Sequence, residues 1–279
     1  MTGSADQIRA TTYQFATPNP LDVSIRNQAG SVEITAADVS ETTVEIVPND
    51  AKGAELAGRT LVALSEDAGQ LRIDVPDRKM LRQPPLEIIV TLPTGSTVDV
   101  ETATADVRMR GIFDGVHVNT ASADVSVPHV TGRAEVNSAS GDVHLSRCEG
   151  PVQVRTASGD VRLDYSGVQA SVQTASGDAL LGRISGDLAV RSASGDVIVA
   201  TAGAGSLQAK TMSGDVVVGV APGLLLWLDV HSLSGDVASQ LGPDDSVDGD
   251  DADPETLREP DLRISASTMS GDVILRRGR

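Results

Sequence analysis

Nine aspartates recur at the same place in nine similar segments: Asp106, Asp124, Asp142, Asp160, Asp178, Asp196, Asp215, Asp236 and Asp272. The first six stand 18 residues apart, and the later gaps are 19, 21 and 36. If each segment lies on the next at strand spacing, the carboxylates come to about 5 Å from one another, where like charges in water repel by just under ~1 kcal/mol. Such a row could take a cation, and calcium favours several oxygen ligands. Each corner offers only one carboxylate, however, and the chain lacks the G-G-x-G-x-D pattern of calcium-binding nonapeptide repeats. The same aspartate, with its neighbouring Ser or Thr, can instead bond turn N–H groups that would otherwise be unpaired. We therefore expect a structural corner column with no metal and no cofactor, and hold calcium binding as the alternative.

Other chemistry is thinly represented. His117, His129, His144 and His231 fall at different places in their segments, so they build no column. No G-x-S-x-G, H-E-x-x-H or phosphate-loop pattern occurs. The expectation is a protein that is not an enzyme. A hydroxyl column (Thr102, Thr120, Ser138, Thr156, Thr174, Ser192, Thr211, Ser232 and Thr268) shares its parity with buried valines, which predicts packing near the corner over an ice-binding face. Five positions before each aspartate, Glu101, Asn119, Asn137, Arg155, Gln173, Arg191, Lys210 and His231 form a varied polar strip. That strip is the candidate interaction surface.

What must position these groups is a stack of short strands. Six residues before the aspartates stand Val100, Val118, Val136, Val154, Val172 and Val190; one residue after stand Val107, Val125, Val143, Val161 and Val197. Polar residues alternate with them, which is the period-2 mark of strands with one buried face. Ser185-Gly186-Asp187 lies nine residues from Asp178 and nine from Asp196, so each 18-residue unit reads as two nine-residue halves joined by corners. A fixed period of this kind means one unit stacked on copies of itself. The expected fold is all-β: a β-solenoid of 18-residue coils with a β-rich N-terminal cap. Glycines such as Gly141 and Gly159 would supply φ > 0 at the corner, although Ala105 and Ala123 hold that place in the first two units. The column from Ala103 to Ala193 is expected to press inward. Met212, Leu233 and Met269, which replace it later, would then widen the interior.

Residues 1–92 are expected to form the cap and 93–279 the solenoid. Two corners in the cap, at Gly30 and Gly69, resemble degenerate repeat corners, and Gln70 lies 36 residues before Asp106 with no corner at Ile88 between them. AKGAELAGRTLVAL could hold a short helix. The net charge of −17 disfavours nucleic acid or an anionic membrane as partner. Nine acids and one arginine crowd residues 241–261, within a stretch, 239–261, expected to be a flexible acidic loop. Aromatic residues make up 2% of the chain, which fits narrow coils lined by Val, Leu and Ala. A single cysteine, Cys148, rules out an internal disulfide. The N-terminal residues carry no apolar secretory core, and the apolar stretch 216–228 is broken by Pro222 and Gly223. The expected location is the bacterial cytoplasm, without direct membrane insertion. The C-terminal strand edge, 273–275 followed by Arg276, Arg277 and Arg279, reads as charge-protected, which favours monomer or dimer over filament.

The T-A-S-G-D-V units, the segment LDVSIRNQAGSVEIT, the WLDV at 227–230 and the closing SGDVILRR together resemble the bacterial β-strand-repeat proteins known as a putative adhesin domain of unknown function. The resemblance implies a β-solenoid and offers no catalytic residues to carry over. The functional expectation is a non-catalytic, rigid binding or scaffold module with a protein partner. The alternative is a surface adhesin, calcium- or polymer-dependent.

Overall fold

A computed structural model describes residues 9–77, 84–241 and 259–278. The chain divides into two compact units, Met1–Asp142 and Val143–Arg279, and both are built from β-solenoid coils. Among the described residues the one α-helix is Ala51–Ala57, in the segment where a helix was expected. Asp50 caps it by accepting the Gly53 N–H at 2.6 Å, and Leu56 is fully buried. No helix of the described residues is long and apolar enough to cross a membrane.

Each coil is two strands at a corner, and successive coils pair in parallel. In the first unit Thr97–Thr102 pairs with Gly115–Ser122, which pairs with Ala134–Ser140, so Val98, Val116 and Ala134 stack in one inward column and Val100, Val118 and Val136 in the next. In the second unit Val152–Ser158 pairs with Gln169–Ser176, and Val154 lies on Val172. All these valines are at most 3% exposed. Each contributes roughly 1.5–3 kcal/mol of transfer free energy. A narrow interior filled by one aliphatic side chain per strand position leaves little room for aromatics.

Chain order and stacking order part company in both units. In the first, the coil formed by Asp22–Asn27 and Gly30–Ala37 pairs on one side with Thr97–Thr102 and Asp106–Arg110. On its other side it pairs with Gln70–Asp74 and Leu86–Pro93. The coil is therefore an inner one, and residues from both before and after it in sequence close the edge with antiparallel strands: Glu41–Pro48 on Leu86–Pro93, Thr11–Ala16 beyond it, and Leu61–Ser65 on Gln70–Asp74. Gly30 is a true repeat corner (φ 117°), with Ser31 in register with Asp106. Gly69 is not: Gln70 pairs with Asp22, at the opposite end of the coil from the aspartates, and Glu87 rather than Ile88 is the residue in register with Ser31. The 36-residue spacing was a coincidence of a hairpin turn.

In the second unit Val273–Arg277 pairs with Val216–Val220 on one side and Val237–Ser239 on the other. Likewise Leu262–Ser270 lies between Gly205–Lys210 and Leu226–Ser234. The last coil in sequence is inserted between two earlier ones. The expected charge-protected edge at 273–275 is thus an interior strand, and residues 226–239 form the outer coil. Arg279 and residues 242–258 lie outside the described residues, as does most of the expected acidic loop.

The alanine column also differs from expectation. Ala121, Ala139, Ala157 and Ala175 are exposed, as are Met212, Leu233 and Met269. Strand alternation simply continues through the buried threonine, so the next residue points out; the interior does not widen through these side chains.

Candidate functional site

The aspartates are joined by backbone. Asp178 donates its N–H to the Asp160 carboxylate at 2.9 Å, and its carbonyl accepts from Val161 N–H at 2.9 Å. The pattern repeats from Asp196 to Asp178 and from Asp215 to Asp196, both at 2.8 Å. It then follows the stacking order, from Asp272 to Asp215 and from Asp236 to Asp272, each at 2.8 Å. In the first unit Asp142 donates to Asp124 at 3.0 Å and Asp124 to Asp106 at 3.4 Å. The carboxylate therefore serves the next coil rather than its own turn. A short side chain suits this reach, and its spent lone pair thins any ligand shell. Among the described residues no group of three or more His, Cys, Asp or Glu side chains could hold a metal ion.

The corner itself is shaped by glycine. Gly177 has φ 135°, and a Cβ there would collide with the carbonyl oxygen of Gly159. Ala105 and Ala123 turn without a positive φ, which among the described residues only glycines adopt. The hydroxyl column is largely buried, and part of it bonds corner backbone: Thr102 Oγ1 accepts from Ala105 N–H at 2.8 Å, and Thr268 Oγ1 donates to the Gly214 carbonyl at 3.1 Å, whereas the Thr120, Thr174 and Ser192 hydroxyls have no partner among the described residues.

The polar strip lies on the outer side of the strands, and register brings its members together within each unit. In the first unit Glu101, Asn119 and Asn137 are successive partners. Asn137 Nδ2 donates to Asn119 Oδ1 at 3.0 Å, and the Asn119 amide meets His117 Nε2 at 2.7 Å. Arg26 joins them through a 2.8 Å ion pair with Glu101. Sequence reasoning missed Arg26, although counting five residues back from the Ser31 corner finds it. In the second unit Arg155, Gln173, Arg191 and Lys210 are successive partners. Ser267 follows Lys210, and His231 follows Ser267, so the inserted coil separates two residues expected to be neighbours. Arg155, Arg191, Lys210 and His231 are exposed, with the Arg155 guanidinium against the Gln153 amide.

Several other titratable groups sit in small local arrays. Asp164 loses some solvation, yet bonds from His144 at 3.0 Å and Arg162 at 2.8 Å hold its carboxyl below the usual range. Glu135 is likewise partly desolvated and still lowered, by Arg133 at 3.0 Å and by Asn137 and His117. His231 Nε2 lies 2.6 Å from Asp229. Arg147 stacks over the Tyr165 ring at 4.7 Å. Burial pushes the Cys148 thiol up to about 12, leaving it a neutral packing group.

Residues 22–276 match the family model described as Toastrack DUF4097. The fold is similar to that of a putative lipid binding protein from Parabacteroides distasonis ATCC 8503, at 15% identity and a TM-score of 0.55, over 95% of this chain and 96% of that one. A putative adhesin from Bacteroides fragilis NCTC 9343 is similar over 96% of this chain and 97% of its own, at 14% identity and a TM-score of 0.41. At 15% identity the likeness to the former is one of fold alone. No curated protein matches the sequence.

Proposed function

The chain belongs to the Toastrack DUF4097 family, and from that premise we propose that it is a non-catalytic β-solenoid binding module whose partner is an extended protein segment. The observation that carries the reading is the ladder Arg155, Gln173, Arg191 and Lys210, three of its four members cationic, held in register on the outer side of one sheet of an otherwise acidic protein. Coil spacing of about 4.8 Å per step gives such a ladder a regular pitch that an extended chain can follow. The varied side chains suit a defined peptide better than a repeating polymer, and local positive charge steers acidic segments onto it. Asn119 and Asn137, already bonded to each other, would contribute shape and polarity in their own unit rather than free charge.

The test is affinity capture from the native cell with the wild type and with a doubly substituted variant, Arg155→Glu and Arg191→Glu, followed by binding measurements on the purified partner. The expected result is a loss of at least about tenfold in affinity, since two attractive contacts become repulsive. Unchanged recovery of every interactor by the variant defeats the proposal.

A further inference from the structure

Residues 226–239 are the outer coil of the second unit, and they are finished differently from the coils they cover. Leu226–Ser234 pairs with Leu262–Ser270 and, among the described residues, with nothing on its other side. Its partners Ile264 and Ala266 are fully buried, whereas Leu228, in register with Ile264, is 42% exposed. Val237 is 51% exposed, although Val273 beside it is fully covered. Among the described residues the interior column is thus open at this end. Two outer-face side chains are apolar and exposed too: Trp227 at 51% and Leu233 at 79%. Met269 and Met212, both exposed, continue that corner row beneath Leu233. An edge strand of this composition, without a lysine, an arginine or a proline in Leu226–Ser234, is a ready template for another strand.

The order of residues along the edge identifies the occupant. Trp227, Asp229, His231 and Leu233 share the outer face. Pairing the strand antiparallel with its own copy about Val230 sets Trp227 against the copy's Leu233 and Asp229 against the copy's His231, each twice. On the inner side Val230 meets its own equivalent and Leu228 meets Ser232. The row is therefore self-complementary in hydrogen bonding, with a carboxylate facing an imidazole, and in apolar contact, and a two-fold relation gives that match. Asp229 and His231, already 2.6 Å apart within one chain, would join the copy's pair in an alternating square. We infer that the chain forms a two-fold dimer by antiparallel pairing of Leu226–Ser234 with the same strand of a second copy, which closes the open coil end. The inference does not depend on the proposed peptide ladder.

The test uses the full chain, with mass measured by light scattering across a concentration series and with fluorescence of Trp227, the single tryptophan. Wild type is expected to pass from monomer to dimer in the micromolar range or below, with a blue shift as Trp227 is covered. His231→Asp sets aspartate against aspartate twice and should weaken the dimer by about tenfold. The exchange Asp229→His with His231→Asp restores the opposition and should return affinity to within about threefold of wild type. Circular dichroism confirms that each variant keeps its strands. A wild type that stays monomeric overturns the inference, as does a His231→Asp variant that dimerises normally. Failure of the exchange to rescue overturns the register.

Discussion

Replacing Asp178 by alanine removes one rung of the carboxylate ladder. The Asp178 carboxylate accepts the Asp196 N–H at 2.8 Å. A hydrogen bond to a charged group contributes roughly 1.5–3 kcal/mol, and the partial exposure of this corner places it near ~2. Against that stands repulsion from the carboxylates one coil away on each side. At about 5 Å in water each repels by ~0.8 kcal/mol, and physiological salt halves it, so the pair costs about 0.8. Asp178→Ala should therefore destabilise by about 1 kcal/mol. Asp178→Asn keeps an oxygen acceptor worth ~1 kcal/mol while relieving the same repulsion, and should be nearly neutral. The assay is urea unfolding of the three proteins in parallel, repeated with millimolar calcium. An alanine variant as stable as wild type, or an asparagine variant as damaged as the alanine one, refutes the ladder as a structural device. A calcium-dependent rise in stability present in wild type and lost in Asp178→Asn would revive the metal alternative.

At the neighbouring position Gly177→Ala forces a φ of 135° on a residue with a Cβ aimed at the Gly159 carbonyl, so it should cost at least about 2 kcal/mol in the same assay. Ala123→Gly, at a corner that turns without positive φ, should cost no more than about 1 kcal/mol. Cys148, buried with its pKa raised to about 12, should resist thiol reagents at pH 8 until the chain is unfolded; rapid stoichiometric labelling of the native protein contradicts its placement. Because the folded pKa lies above the unfolded value of about 8.5, the neutral thiol's contribution is complete below pH 8.5 and is lost as pH rises toward 12. Wild type should therefore lose stability relative to Cys148→Ala across that window, and parallel slopes would contradict it.

The coil itself was legible before any coordinates. Val154 on Val172 and Val161 on Ala179 follow from an 18-residue period and two-residue alternation, because each unit repeats the same nearest-neighbour contacts and the pattern encodes them many times over. The polar strip was legible for the same reason, with Arg26 and Ser267 recoverable by the same count. Small size at the alanine column does not mean inward packing: two-residue alternation points Ala157 outward. Numerical spacing alone does not make a corner, as Gln70 in register with Asp22 shows.

Neighbour order is what only the tertiary structure decided. Every coil presents much the same edge of N–H and carbonyl groups, so no local pattern distinguishes the strand that follows in sequence from one that arrives 36 residues later. Closure entropy grows only slowly with the length of sequence between paired strands, so Leu262–Ser270 can pair beneath Leu226–Ser234, and that order leaves the inward-facing Leu228 and Val237 uncovered. Composition and period set what a coil is; the competition among equivalent edges sets which coil ends the stack, and with it the surface left for a partner.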